Sequence, residues 1–394
     1  MQKRKLAVVT SHPIQYYAPV FRELVQSDSL DLKVFYTWSQ AADKEQFDHG
    51  FGTAVAWDIP LLTGYAYTFV PNVSDRPGTD HFGGLKNPSL VREIENWGAE
   101  AVLVYGWYAH SHLSALRYFK ERIPVLFRGD STMLDTSSWW RSRLRRLFLR
   151  WVYSHVDMAI AVGSNSRDYF AWCGLRPESI RIAPHSVDTQ RFSADAEALE
   201  QRAAKWRLEY GIGPETVVIL YAGKLQAKKD PELLLQASGT LGDNTHWLFV
   251  GSGELEATLK ERAANRKNVH FLPFQNQSQM PVVYRIGDLF ALPSRGPGET
   301  WGLALNEAMA CGRAILASSK VGGARDLIDS GVNGWIFEAG ELAALTTTLR
   351  TAIGCGRSGL RSMGQAGLAR SHQWSTQTSA QCIENAVAAA LSRV

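Results

Sequence analysis

Two lysines five positions apart, Lys224 and Lys229, and two glutamates eight apart, Glu299 and Glu307, stand out as residues whose types and spacing could do chemistry. The lysines follow the apolar run Val217–Ala222 in Gly223-Lys224-Leu225-Gln226-Ala227-Lys228-Lys229-Asp230. Cations at the carboxyl end of a buried strand stand where α/β sheets bind ligands. They could neutralise a diphosphate as negative charge develops on it. A basic surface loop is the ordinary alternative. The segment from Pro293 to Gly312 reads as strand end, Gly/Pro-rich loop and helix. The amides of Trp301, Gly302 and Leu303 would open that helix and favour a phosphate beyond it. Glu299 lies in the loop, and Glu307 is expected two turns on, where a solvated helix carboxylate is the plain reading. Gly251-Ser252-Gly253 reads as a structural strand-to-helix turn. Phe271-Leu272-Pro273 ends a further strand and would supply backbone groups beside the same crevice.

These residues need strands and helices to position them, and the chain supplies two series. Buried strands are expected at Leu6–Thr10, Leu32–Tyr36, Ala101–Tyr105, Pro124–Phe127 and Met158–Val162. A second series runs through Val217–Ala222, Thr245–Val250, Val269–Leu272, Leu289–Leu292, Ala314–Ala317 and Trp335–Phe337. Continuous apolar strands separated by amphipathic stretches imply parallel sheets covered on both faces. Two series imply two doubly wound α/β domains. The expected division gives 1–190 to the first and 191–374 to the second, with a final helix over 375–394.

Composition agrees with that architecture. The chain has 394 residues, 45% hydrophobic and 20% charged, enough for two or three cores at roughly 150 residues per domain. Forty-two basic and 38 acidic residues leave a net charge of +4, with neither half an acidic or basic arm, so nucleic acid is not an expected partner. Cys173, Cys311, Cys355 and Cys382 form no CxxC pair and have no histidine at metal-ligand spacing, so no metal is expected and a reducing, cytoplasmic setting fits. No apolar run is long enough to span a bilayer.

Taken in order, Gly223-Lys224…Lys229, Gly251-Ser252-Gly253, Phe271-Leu272-Pro273, Pro293-Ser294, Glu299-Thr300-Trp301-Gly302-Leu303…Glu307-Ala308-Met309-Ala310-Cys311-Gly312 and Val321-Gly322-Gly323 resemble the group 1 retaining glycosyltransferases. The resemblance covers most of the C-terminal half. It implies the GT-B fold, two Rossmann-like domains facing each other across a cleft, with the last helix returning to the first domain. It implies a nucleotide-diphosphate sugar, such as a UDP- or GDP-sugar, as substrate, and no cofactor. Lys224, with Gly223, and Lys229 would bind the pyrophosphate. Glu299 would contact the transferred sugar, and Glu307 the ribose. Pro273, Thr300 and Trp301 would line the donor site, and the Gly302 and Leu303 amides would complete its phosphate cradle. Asp230 stands where the family often has glycine.

The N-terminal half matches more loosely, as an acceptor-binding domain would. Ser11-His12-Pro13 replaces the family's glycine-rich first loop, and His12 is a candidate for acceptor or phosphate. Where many members carry a histidine, this chain has Gly129 within Arg128-Gly129-Asp130. Asp130 is the nearest titratable substitute and a catalytic candidate, since it can accept a hydrogen bond from a hydroxyl. Arg128 and His110 are further acceptor or phosphate candidates.

The segment 139–152 alternates arginines with an apolar face of Leu144, Leu147, Phe148, Trp151 and Val152. Such a helix either packs that face on a sheet, lies on an anionic membrane surface, or binds a phosphate-bearing acceptor. The implied activity is retaining, metal-independent glycosyl transfer to a glycan or lipid-linked acceptor, in the cytoplasm or at the inner face of the membrane. Two rivals stay open. One is a non-catalytic sugar- or lipid-binding relative. The other is a nucleotide-binding oxidoreductase, disfavoured because no Gly-x-Gly-x-x-Gly follows the first strand.

Overall fold

In a computed structural model, residues 3–39, 46–48, 53–135 and 139–393 are described here. The chain divides into two compact units. One comprises Met1–Lys44, Pro60–Ser186 and Thr376–Val394, and the other Glu45–Ile59 and Val187–Ser375. The division thus falls after Ser186 and Ser375 rather than after 190 and 374, and the short segment Glu45–Ile59 joins the second unit.

The strands, in chain order, are β1 (Arg4–Thr10), β2 (Leu30–Tyr36), β3 (Gln46–Asp48), β4 (Thr53–Val55), β5 (Ala66–Phe69), β6 (Ala101–Tyr105), β7 (Val125–Gly129), β8 (Met158–Ala161) and β9 (Ile180–Ile182). The second series is β10 (Val217–Ala222), β11 (Thr245–Val250), β12 (Val269–Leu272), β13 (Leu289–Leu292), β14 (Ala314–Ser318) and β15 (Gly334–Phe337).

In the first unit a seven-stranded sheet runs β5-β2-β1-β6-β7-β8-β9, with every pairing parallel. All five residues of β6 are buried, because helices cover both faces. Leu6, Val8, Val34 and Leu103 point to one core, shared with the helices Ala18–Val25 and Thr376–Leu391. The alternate residues Ala7, Val9, Val102 and Val104 point to the other. The C-terminal helix sets Ile383, Ala386 and Val387 into the first core, and Glu384 accepts a hydrogen bond from Ser27 Oγ at 2.6 Å.

In the second unit a six-stranded sheet runs β12-β11-β10-β13-β14-β15, again wholly parallel. All of β10 and β13 is buried. In both sheets the strand order reverses beside the first strand: between β1 and β6 in one unit, between β10 and β13 in the other. Ligands of open α/β sheets bind beyond the carboxyl ends of the strands at such reversals.

The helix Trp139–Tyr153 departs from the packed reading. Only Leu149, Val152 and Tyr153 are buried. Of the expected apolar face, Leu144, Leu147, Phe148 and Trp151 are exposed, so that face does not lie on the sheet.

Candidate donor and acceptor sites

At the reversal in the second unit, the loops after β10 and β13 leave adjacent parallel strands. The loop after β10 is held from two sides. The Gly223 amide donates to the Val250 carbonyl at 2.9 Å, and the Leu225 amide to that of Ser252 at 2.9 Å. Gly251 permits this approach: its φ is +135°, and a Cβ there would lie 2.1 Å from the Gly223 carbonyl oxygen. The Gly-x-Gly turn is thus a packing device. The Tyr221 hydroxyl donates to the Lys224 carbonyl at 2.6 Å, which fixes the backbone of the first lysine.

A single turn, Ala227–Lys229, follows, and Asp230 takes a left-handed conformation, φ +53° and ψ +47°, before the helix Pro231–Ser238. Asp is among the few non-glycine residues that adopt this conformation readily, which accounts for aspartate where the family often has glycine. Burial also raises the pKa of the Asp230 carboxyl.

This turn places Lys229 against the β13 loop. Its ammonium donates to Glu299 Oε2, which also accepts from Ser294 Oγ at 2.9 Å. The neighbouring Lys228 is exposed, and its carbonyl accepts from the Arg295 amide at 3.0 Å. Of the two adjacent lysines, Lys229 is therefore the one whose charge sits in the site. Lys224 is half-buried on the same loop.

The loop from Glu299 to Gly302 is pinned by the segment after β14. The amides of Gly322 and Gly323 donate to the carbonyls of Glu299 at 3.0 Å and Trp301 at 2.8 Å. A Cβ on Gly322 would fall 1.8 Å from the Thr300 carbonyl oxygen. Gly302, at φ +91°, is the N-cap of the helix Leu303–Ala310. The Gly302 and Leu303 amides at its N-terminus favour an anion. Trp301 contributes backbone, not ring: the indole is buried, donating Nε1–H to Asn306 Oδ1 at 2.8 Å and packing 5.2 Å from the Trp374 ring.

Glu307 lies about one turn into this helix, not two, and it is buried rather than solvated. Its Oε2 accepts from the buried Tyr284 hydroxyl at 2.6 Å. Tyr284 was not foreseen. A buried carboxylate requires a donor, and that donor comes from the helix Met280–Ile286, remote in sequence. Pro273 is exposed at the end of β12.

In the first unit, a cavity of about 140 Å³ opens at the reversal between β1 and β6. Its lining includes Ser11, Tyr17, Tyr105, Arg128, Gly129 and Asp130. Arg128 is buried and donates to the carbonyls of Ala183 at 2.9 Å and Pro184 at 3.2 Å. Its guanidinium thereby anchors the chain leaving β9 as well as charging the cavity. His185, which the sequence reading passed over, stacks 6.2 Å from the Tyr17 ring. Burial, reinforced by the Arg128 charge and opposed by Asp130, pushes its pKa down to about 4. Burial likewise raises the Tyr17 phenol.

None of the histidine candidates lines this cavity. His12 is half-buried, hydrogen-bonded to Ser11 Oγ at 2.9 Å and edge-on to Trp38. His110 is exposed at the start of the helix His110–Phe119, near Phe82. His112 is structural, bridging Thr37 Oγ1 at 3.0 Å and the Gly106 carbonyl at 3.0 Å. Among the described residues, no cluster of three or more His, Cys, Asp or Glu side chains could hold a metal ion.

The family model described as "Glycosyl transferases group 1" matches residues 203–367, and "Glycosyltransferase Family 4" matches residues 50–191. A D-inositol 3-phosphate glycosyltransferase of Segniliparus rotundus is 29% identical over 55% of this chain and 48% of its own length. A GDP-mannose-dependent alpha-(1-6)-phosphatidylinositol monomannoside mannosyltransferase of Mycolicibacterium smegmatis is 28% identical over 67% of this chain and 71% of its own. The chain thus spans only about half the length of the inositol 3-phosphate relative. Among solved structures, Anabaena HepE in complex with UDP superposes with a TM-score of 0.72 at 18% identity, covering 98% of this chain and 99% of that one. A glycosyltransferase from Rickettsia africae gives 0.73 at 14% identity, with both chains fully covered.

Proposed function

This chain belongs to the group 1 glycosyltransferases of GT-B fold, and from that premise we propose that it moves a sugar from a nucleoside-diphosphate donor to a hydroxyl acceptor with retention at the anomeric carbon. The observation that carries the reading is the meeting of Lys229 with Glu299 beyond the carboxyl ends of β10 and β13, beside the N-terminus of the helix Leu303–Ala310. The donor is a UDP- or GDP-sugar. Its pyrophosphate lies on Lys224, Lys229 and the Gly302 and Leu303 amides, its sugar hydroxyls on Glu299 and its ribose on Glu307.

Lysines and helix amides aimed at the leaving diphosphate stabilise charge where it develops, so no metal ion or cofactor is needed. The bond from the anomeric carbon to the phosphate oxygen breaks as the acceptor oxygen bonds to the same face of that carbon. The acceptor proton passes to the departing phosphate oxygen. The cavity of the first unit takes the acceptor, with Asp130 accepting a hydrogen bond from its hydroxyl. The acceptor is a glycan or a lipid-linked sugar, and the enzyme works as a peripheral protein at the inner face of a membrane. Among the described residues no helix is long and apolar enough to cross one.

The test is incubation with UDP- and GDP-sugars and lipid or oligosaccharide acceptors in excess EDTA. Nucleoside diphosphate release and the anomeric proton signals of the product are followed together. The expected outcome is release with the donor's anomeric configuration kept. An inverted product overturns retention, loss of activity in EDTA overturns metal independence, and no release from any donor overturns the reading itself.

A further inference from the structure

The helix Trp139–Tyr153 has more to it than its three buried side chains explain. Leu149, Val152 and Tyr153 fix one face to the unit. At about 100° per residue, the diametrically opposite face carries Trp140, Leu144, Leu147 and Trp151. Those four residues, together with Trp139 and Phe148, are between 43% and 71% exposed. A helix that turns its buried face inward normally turns polar residues outward. This one turns outward tryptophan and leucine.

The flanks of the stripe are equally one-sided. Arg143 and Arg150 lie along one flank and Arg141 along the other, while Arg146 turns back to the unit and donates to the Trp172 carbonyl at 2.7 Å, and no aspartate or glutamate occurs anywhere in the helix. Two arginines lie close to exposed indoles, Arg141 at 5.1 Å from Trp140 and Arg143 at 5.5 Å from Trp139. The apolar surface continues into the neighbouring loop, where Trp107 packs edge-on 5.5 Å from Phe148 and Tyr108 stands exposed.

We propose that this helix face docks on an anionic lipid bilayer, with Trp140, Leu144, Leu147 and Trp151 entering the headgroup boundary and Arg141, Arg143 and Arg150 contacting lipid phosphates. Apolar side chains at the centre of the face and long cations at both rims suit a planar interface, where each arginine can reach outward to a headgroup while its stem stays apolar. Tryptophan favours the boundary because its ring is apolar and its N–H needs a partner. The uniformly positive rim selects anionic over neutral lipid. The inference names the surface behind the peripheral reading above, and it rests on that reading only for its consequence, that the acceptor is drawn from the same membrane.

The test is sedimentation of the full chain with vesicles of phosphatidylcholine alone or with phosphatidylglycerol added, at low and high salt. Tryptophan emission is recorded alongside. Wild-type protein is expected to pellet with the anionic vesicles at least tenfold more strongly than with the neutral ones, less so at high salt, with a blue shift of emission. The double variant Leu144→Glu, Leu147→Glu, whose changes fall on exposed positions, should keep its melting temperature and lose the vesicle binding. A variant with Arg141 and Arg143 changed to Ser should keep a residual, salt-insensitive binding.

Equal binding to neutral vesicles, wild-type binding by the Glu variant, or retention on an acidic polymer such as heparin with no vesicle binding would each overturn the inference. Lys229→Ala should still pellet fully, so failure of the docking surface and failure of the transfer chemistry are read apart.

Discussion

The ammonium of Lys229 and the carboxylate of Glu299, 70 residues apart in sequence, form a hydrogen-bonded ion pair that joins the loops after β10 and β13. Ser294 holds the same carboxylate oxygen. Each side chain thereby orients the other. Groups in one network do not contribute independently. Lys229→Ala and Glu299→Ala are each expected to lower turnover by about 10²–10³-fold, in the range for removing one preorganised charge-stabilising group. The double variant should be little worse than the poorer single. Full additivity in a double-mutant cycle would show that the pair does not act as a unit.

Gly322→Ala tests how the Glu299 loop is held. A Cβ at 1.8 Å from the Thr300 carbonyl oxygen must displace backbone that carries Glu299. A loss of about 2–3 kcal/mol in stability is expected from such overpacking, with a raised donor KM. Gly354→Ala, where a Cβ meets nothing within 4 Å, is the control and should leave both unchanged or gain slightly in stability.

Tyr284→Phe removes the donor from a buried carboxylate without changing the packing of the ring. Leaving Glu307 short of that partner should cost about 1–3 kcal/mol of stability. Because Glu307 is assigned to the ribose, nucleoside diphosphate affinity should fall several-fold, with kcat at saturating donor less affected. Calorimetric titration and denaturant melts read the two effects separately.

The pH dependence of stability should carry the mark of His185, whose pKa is pushed down to about 4. Above about pH 6.5 the ring is neutral in folded and unfolded chains, and its shift contributes nothing. Below that, the unfolded chain takes up the proton first, so stability falls from about pH 6.5 to 4 and levels off further down. His185→Asn should flatten part of that slope. The buried and partly buried His112, His246 and His270 keep their lowered pKa values in both proteins, so the difference between the two melting curves isolates His185.

Much of the fold was legible because parallel strands buried on both faces read as unbroken apolar runs. The edge strands of the first sheet were not. Ala66–Phe69 is partly exposed, and Ile180–Ile182 has only its first residue buried, so neither makes such a run. Lys229 and Glu299 stood out by order and spacing, and the structure brings these two together. The seat of Glu307 was not legible, since it depends on a tyrosine hydroxyl from another helix. His185 follows a three-residue strand, and its place beside Tyr17 arises only when β9 joins the sheet. The helix Trp139–Tyr153 was legible as amphipathic, but its pattern could not tell which face the sheet would take. Leu149, Val152 and Tyr153 decide that, and they leave the stripe of Trp140 and Leu144 outside.

The central claim is that Lys224, Lys229, Glu299, Glu307 and the helix amides form a nucleoside-diphosphate site in the second unit. Calorimetric titration of the wild-type chain and of the Lys224→Ala, Lys229→Ala variant with UDP and GDP, in EDTA, tests it most directly. The account predicts that one of the two nucleotides binds the wild-type protein and binds the variant at least tenfold more weakly, while both proteins melt alike without ligand. Failure of both nucleotides to bind, or equal binding by wild type and variant, would contradict it.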